Sequence, residues 1–274
     1  MHQVLFKHTQ MNHEAFPIAE IGASDGTCRF CGSENAKFDS AAHSVPEFLG
    51  NKSIFTLDEC DACNSYFGQK IERDLSKFTP PSWFTRLKGK KKYSRSMSIG
   101  GVTLYGEQSF VNIEFSDHCS VSRQTFETRG RRFSNANVYK AWLKILISLI
   151  PKSYLCDFRQ IIKWLRSGDD QFVNLKHQPF LIIGHQLPDY RLPDILDIEV
   201  IRQLSAGHPV YQLNARFNNY YVKFPFSPKL NCKFRVGEIL PARSNVDEVY
   251  FQVIDLSNYV CQHNYKLKLE GLSI

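Results

Sequence analysis

The chain has 274 residues, 43% hydrophobic and 13% aromatic, enough to bury a core in one large domain or two small ones. Charged residues at 22% exclude wholesale disorder, and the longest strongly apolar stretch, Ala141 to Ile150, is broken by Lys144 and Ser148 and falls short of the about 20 residues a bilayer span needs. The net charge of +7 is uneven: residues 1–74 carry −5 and the remaining 200 carry +12.

The first sixteen residues hold His, Gln and Asn where a secretory signal has its apolar core, so the sequence reads as a soluble, cytoplasmic protein. Cys28 and Cys31 follow in a turn flanked by Gly26 and Gly32. Lys37 to Val45 is predicted as a strand that stops at Pro46, and Ser53 to Leu57 as a second, with Gly50-Asn51 in the loop between. After Cys60 and Cys63 a helix is predicted from about Asn64 to Phe78. Phe67, Ile71, Leu75 and Phe78 make its apolar face, Asn64 projects onto that face, and Glu72 lies at its edge. Thr79-Pro80-Pro81 ends it.

From Leu75 to Gly106 there is no acidic residue, and Arg86, Lys88, Lys90, Lys91, Lys92 and Arg95 crowd one short tract. Such density suits a polyanion such as DNA, or else a solvated linker, with Trp83, Phe84 and Tyr93 able to stack on bases or to pack. Ile99 to Phe115 alternates around Gly106-Glu107 and is predicted as a hairpin. Asn135 to Ile150 is apolar nearly all round and reads as a buried helix; Leu155 to Arg166 is a second, amphipathic one. Pro193 to Leu204, with Pro at its start and Gly207 after it, is predicted as a third. Strands are expected at Val210 to Phe217, Tyr220 to Phe226 and Val249 to Ile254.

Of eight cysteines, Cys28, Cys31, Cys60 and Cys63 form two C-x2-C pairs with 28 residues between them. Two such pairs let four thiolates close a tetrahedron around one zinc ion, a site with no open position and hence structural. Cys119, Cys156, Cys232 and Cys261 follow no pattern and read as ordinary thiols. His43 lies between the two pairs, in Ala41-Ala42-His43-Ser44-Val45-Pro46. The other histidines have no partner motif.

Four zinc-type cysteines, the His43–Pro46 turn, Leu49-Gly50-Asn51, and Glu59-Cys60-Asp61-Ala62-Cys63-Asn64 leading to Phe67, Glu72 and Leu75 together resemble an HNH endonuclease of the ββα-metal superfamily. The resemblance covers about 50 residues and implies a zinc-clipped nuclease domain at 1–80; the charge pattern makes 81–98 a basic linker, and the helix and strand patterns after it make 99–274 a larger α+β domain that binds substrate, dimerises or regulates, so the chain reads as α+β. It implies His43 as the general base, Asn64 as ligand to a catalytic Mg2+ or Mn2+, Glu72 as the acidic helix residue that completes or orients the metal site, and Asn51 as a brace of the loop. Ala42 departs from the family, where Asp, Glu or His commonly precedes the base. The cation then rests on Asn64 with waters and phosphate, or borrows Glu72 or Asp39. Members of this family serve in anti-phage defence or in mobile elements, and the resemblance does not choose. Two other readings stay open: a zinc module that binds DNA without cutting it, and a nuclease acting on RNA.

Overall fold

The computed structural model of the chain describes residues 2–11, 17–23, 25–79, 97–99, 102–107, 110–115, 123–129, 132–168, 172, 179–186, 195–205, 208–217, 220–228, 249–257, 260–261 and 264–270. The fold is mixed α+β: a small region with the paired cysteines, and a larger antiparallel sheet with helices. No helix among the described residues is long and apolar enough to cross a membrane.

The chain opens with β1 (His2–Met11), a strand of the larger sheet. The small region follows, with β2 (Ala19–Ile21), β3 (Ala42–His43) and β4 (Ile54–Thr56) in the order β2-β4-β3. β2 runs parallel to β4, and β3 antiparallel to it, pairing His43 with Phe55. The strand expected from Lys37 to Val45 shrinks to the two residues of β3. Ahead of it, the amides of Asp39 and Ser40 donate to the Asp61 carboxylate at 3.1 and 2.9 Å instead of joining a ladder. The helix expected from Asn64 to Phe78 starts earlier and is two helices, α1 (Asp61–Gln69) and α2 (Ile71–Phe78), broken at Lys70 with φ −103° and ψ −76°. The expected apolar face is intact across the break: Phe67, Ile71, Leu75 and Phe78 are all buried.

Next come β5 (Met97–Ile99), β6 (Val102–Glu107) and β7 (Phe110–Phe115), with β5 and β7 each antiparallel to β6; the β6–β7 pair is the expected hairpin. β8 (Arg123–Arg129) and β9 (Phe133–Ser134) lead into α3 (Asn135–Leu149). Ser134 caps α3 by accepting from the Asn137 amide. A 3-10 turn at Lys152–Phe158 runs into α4 (Arg159–Arg166).

The larger sheet is built from β10 (Phe180–Gln186), β11 (Ile195–Ser205), β12 (His208–Phe217), β13 (Tyr220–Phe226) and β14 (Val249–Asp255), in the order β1-β11-β12-β13-β10-β14, antiparallel throughout. β15 (Val260–Cys261) pairs with β9, and β16 (Asn264–Glu270) with β8. The segment Pro193 to Leu204, expected as a helix, is therefore β11. Leu196, Ile198 and Val200 alternate inward, and β1 and β12 supply its backbone partners on both sides. Residues 2–11, grouped with the nuclease at the sequence level, are an edge strand of this sheet.

The two regions share one hydrophobic core, and α3 is its middle layer. Every α3 residue except Asn137 is buried. Tyr139 and Trp142 meet Phe224 and Phe217 of the sheet, with ring centroids 4.9 and 6.2 Å apart. The other side of α3 faces the small region, which grips the helix at both ends. Asp74 of α2 accepts from Asn137 Nδ2 and the Ser134 amide at its start. Arg29 donates to the carbonyls of Ile147 and Ser148 at its end, while its Nε pairs with Asp58. Each charge has the sign that the helix dipole favours there.

Candidate active site and metal cluster

The four cysteines converge. Their sulfurs all lie within 4.8 Å of one another, with Cys28 and Cys63 3.9 Å apart and Cys31 and Cys60 3.7 Å apart. A zinc ion about 2.3 Å from each of four thiolates sets tetrahedral sulfur–sulfur edges of about 3.8 Å. The cluster is therefore suited to zinc. Gly32, at φ +68°, makes the turn after Cys31, and its amide donates to the Cys28 carbonyl. The Cys60 amide points at the Cys28 sulfur. The Cys63 thiol holds the Cys28 pKa down to about 4, while contact with Cys28 and burial push Cys63 up. Four sulfurs this close ionise together only around a cation.

His43 sits half-buried on β3, its ring 4.9 Å from that of Phe55. Asn51, fully buried, braces the loop behind it. Its Nδ2 donates to the carbonyls of Val45 and Ile54 at 2.8 and 2.9 Å, and its Oδ1 accepts from the amides of Ser53 and Ile54. The same Nδ2 lies 3.4 Å from His43 Nδ1. With both amide hydrogens directed at carbonyls, none is left for the ring, so this third contact is weak. β1 closes the loop from the far side. Gln10 donates to the Gly50 carbonyl and accepts from the Lys52 amide and the Ser53 hydroxyl, and His8 Nε2 lies 2.9 Å from that hydroxyl.

Asn64 stands one residue past Cys63 on α1. Its Nδ2 donates to Ser40 Oγ at 3.4 Å, which leaves the carboxamide oxygen as the atom able to meet a cation. Asp39 is exposed. Glu72 is joined to Lys144 of α3, Oε1 to Nζ at 3.2 Å. The same ammonium lies 3.3 Å from Glu59 Oε2 and donates to the His43 carbonyl at 2.9 Å. Burial pushes the Glu59 carboxyl up to about 7 against the pull of Lys144. Burial works against the Lys144 charge too, yet Glu59 and Glu72 hold its pKa above the ordinary lysine value.

Residues 28–79 match the family model described as HNH endonuclease. They are an HNH endonuclease domain. Neither a curated protein nor a solved structure matches the chain. A domain of this family implies a nuclease, a hydrolase of phosphodiester bonds, with nucleic acid as its substrate.

Within the HNH domain the structure brings together the four cysteines, and brings His43 to Asn51. Glu72 and His43 meet the same ammonium, that of Lys144, Glu72 with its carboxylate and His43 with its backbone carbonyl. Ala42, in the place before His43, is buried and offers no ligand atom. Arg86, Lys88, Lys90, Lys91, Lys92 and Arg95 lie outside the described residues, as do Trp83, Phe84 and Tyr93. Sequence reasoning missed Lys144, Gln10, Glu59 and the Arg29–Asp58 pair. A signal for Lys144 was present: a lysine inside a helix apolar on every side must be buried, and a buried lysine needs partners.

Proposed function

We propose that the protein is a metal-dependent endonuclease that hydrolyses phosphodiester bonds in DNA, with His43 as general base and Asn64 as ligand to a catalytic Mg2+ or Mn2+. One observation carries the reading. Within a single family-matched segment, four thiols stand at zinc spacing around the start of α1, and His43 presents a half-buried imidazole on the strand beside it. Zinc is the structural ion, held by Cys28, Cys31, Cys60 and Cys63. Neutral imidazole takes a proton from the attacking water at physiological pH, because its unperturbed pKa is about 6.5. Asn51 keeps the loop from yielding as the proton arrives, and the Phe55 ring limits rotation of the imidazole.

The donor set for the catalytic cation is sparse. Asn64 offers one hard oxygen, Ala42 offers none, and Glu72 is engaged by Lys144. This fits Mg2+, which keeps several waters and binds through one or two protein oxygens plus phosphate. Bound there, the cation supplies charge neutralisation at the scissile phosphate and at the leaving oxygen. Ala42 also favours a second reading, a zinc-containing module that binds nucleic acid without cutting it. Cleavage of plasmid DNA with Mg2+ and with EDTA, run beside single-stranded RNA, decides between them. Magnesium-dependent nicking of DNA is expected. His43→Ala should lose at least about 100-fold in rate with bound zinc unchanged. No cleavage of either polymer selects the binding module, and cleavage of RNA alone moves the substrate to RNA.

A further inference from the structure

We propose that Lys144, which lies outside the matched HNH segment, is a positioning residue of the nuclease: its ammonium fixes the backbone of His43, and Glu59 and Glu72 hold the ammonium in place. The proposal rests on His43 being the base.

β3 is two residues long and lies at the edge of its sheet, so β4 alone pairs with it. So short an edge strand holds its backbone weakly. The carbonyl that Lys144 takes is that of His43 itself, at 2.9 Å. The ammonium donates to His43 O and forms ion pairs with the two carboxylates, Glu59 Oε2 at 3.3 Å and Glu72 Oε1 at 3.2 Å, so three oxygens surround it. Lys144 is fully buried, so it cannot reach substrate phosphate and can act only through His43. α3, the most deeply packed element, sets its position, and the Phe67 ring lies 5.9 Å from the ammonium. Glu59 directly precedes Cys60, and Glu72 lies in the first turn of α2. The three oxygens thus come from the zinc cluster's edge, the second helix and the catalytic strand, and one cation from the larger region joins them. On this account Glu72 serves the base through Lys144 and is not a ligand of the catalytic cation.

The test compares the parent with Glu59→Gln/Glu72→Gln and with Lys144→Met/Glu59→Gln/Glu72→Gln, in which no buried charge is left unpaired. Circular dichroism and zinc content establish that each is folded. The triple variant should keep KM and Mg2+ requirement and lose about 100-fold in kcat, the scale of an ångström-sized misplacement. Its His43 ring resonances, assigned by their absence from His43→Ala, should shift from those of the parent. Parent kcat with unmoved His43 resonances overturns the proposal. So does a double variant as slow as the triple with a raised Mg2+ requirement, which would make Glu72 the acting group. If the triple variant does not fold, Lys144→Arg decides. It keeps the charge but cannot place its planar donors on all three oxygens, so kcat should fall at least about 10-fold with KM unchanged. Parent kcat and unmoved resonances in that variant overturn the proposal as well. If the parent cuts neither DNA nor RNA, the nuclease reading fails on its own terms, and the His43 resonances still test the contact.

Discussion

Replacing Asn51 by Ala removes four hydrogen bonds at one fully buried point: two to the carbonyls of Val45 and Ile54, and two from the amides of Ser53 and Ile54. The side chain gone, these backbone groups are too enclosed for water to replace every lost partner. At a net of about 1 kcal/mol each the loss comes to about 4 kcal/mol, a large share of the stability of any domain. For a chain of this size each kcal/mol moves the melting temperature by roughly 2–4 °C, so a fall of about 10 °C is expected. Thermal unfolding followed by circular dichroism measures it, with zinc content read on the same samples. Cleavage at a temperature where the variant is still folded should fall by about 100-fold, since the loop behind His43 is no longer fixed. A melting temperature within about 2 °C of the parent, at equal activity, would show that the backbone alone holds this loop and that the bracing assigned to Asn51 is wrong.

Further tests address the metal, the packing and the charged tract. Cys60→Ser should release zinc and unfold the small region, and metal analysis of the parent should find one zinc per chain. Gly22 has φ +92°, and a Cβ there would stand 2.2 Å from Asp58 Oδ1 and 2.8 Å from an Arg29 nitrogen. Gly22→Ala should therefore cost about 3 kcal/mol in urea unfolding, because it disturbs a buried ion pair. Asn64→Ala should raise the Mg2+ concentration needed for half-maximal cleavage, and an unchanged requirement would remove Asn64 from the metal site. Changing Lys88, Lys90, Lys91 and Lys92 to Gln should flatten the dependence of log affinity on log salt by up to roughly 3 units, at about 0.9 per phosphate contact. An unchanged slope would make the tract a solvated linker.

The parts of the fold legible in the sequence were those set by neighbours along the chain. The two C-x2-C pairs, the buried α3, the face of Phe67, Ile71, Leu75 and Phe78, and the alternation of β12, β13 and β14 all declare themselves within short windows. β11 was misread because its flanking signals, a proline before and a glycine after, outweighed the inward alternation of Leu196, Ile198 and Val200. What makes it a strand is β1, whose residues are about 190 positions away in register with it. β1 itself was read only as an N-terminal segment dotted with histidines. In the site, His43 and Asn51 stood out because their chemistry is local. Lys144 did not, since its meaning depends on a carbonyl 101 residues earlier in the chain.

That separation orders the events of synthesis. Cys28 and Cys63 are 35 residues apart, so the zinc cluster can close soon after it leaves the ribosome. The ammonium that meets the His43 carbonyl is made only later, and β1 must wait for β11 before Gln10 can settle against residues 50–53. Closing so long a loop is slow as well as late. A nascent chain therefore carries the cysteines and histidine of a nuclease well before it carries a rigid one. The segment that carries the cysteines and His43 is thus complete well before the lysine of α3 and the strand β11 that its neighbours pack against.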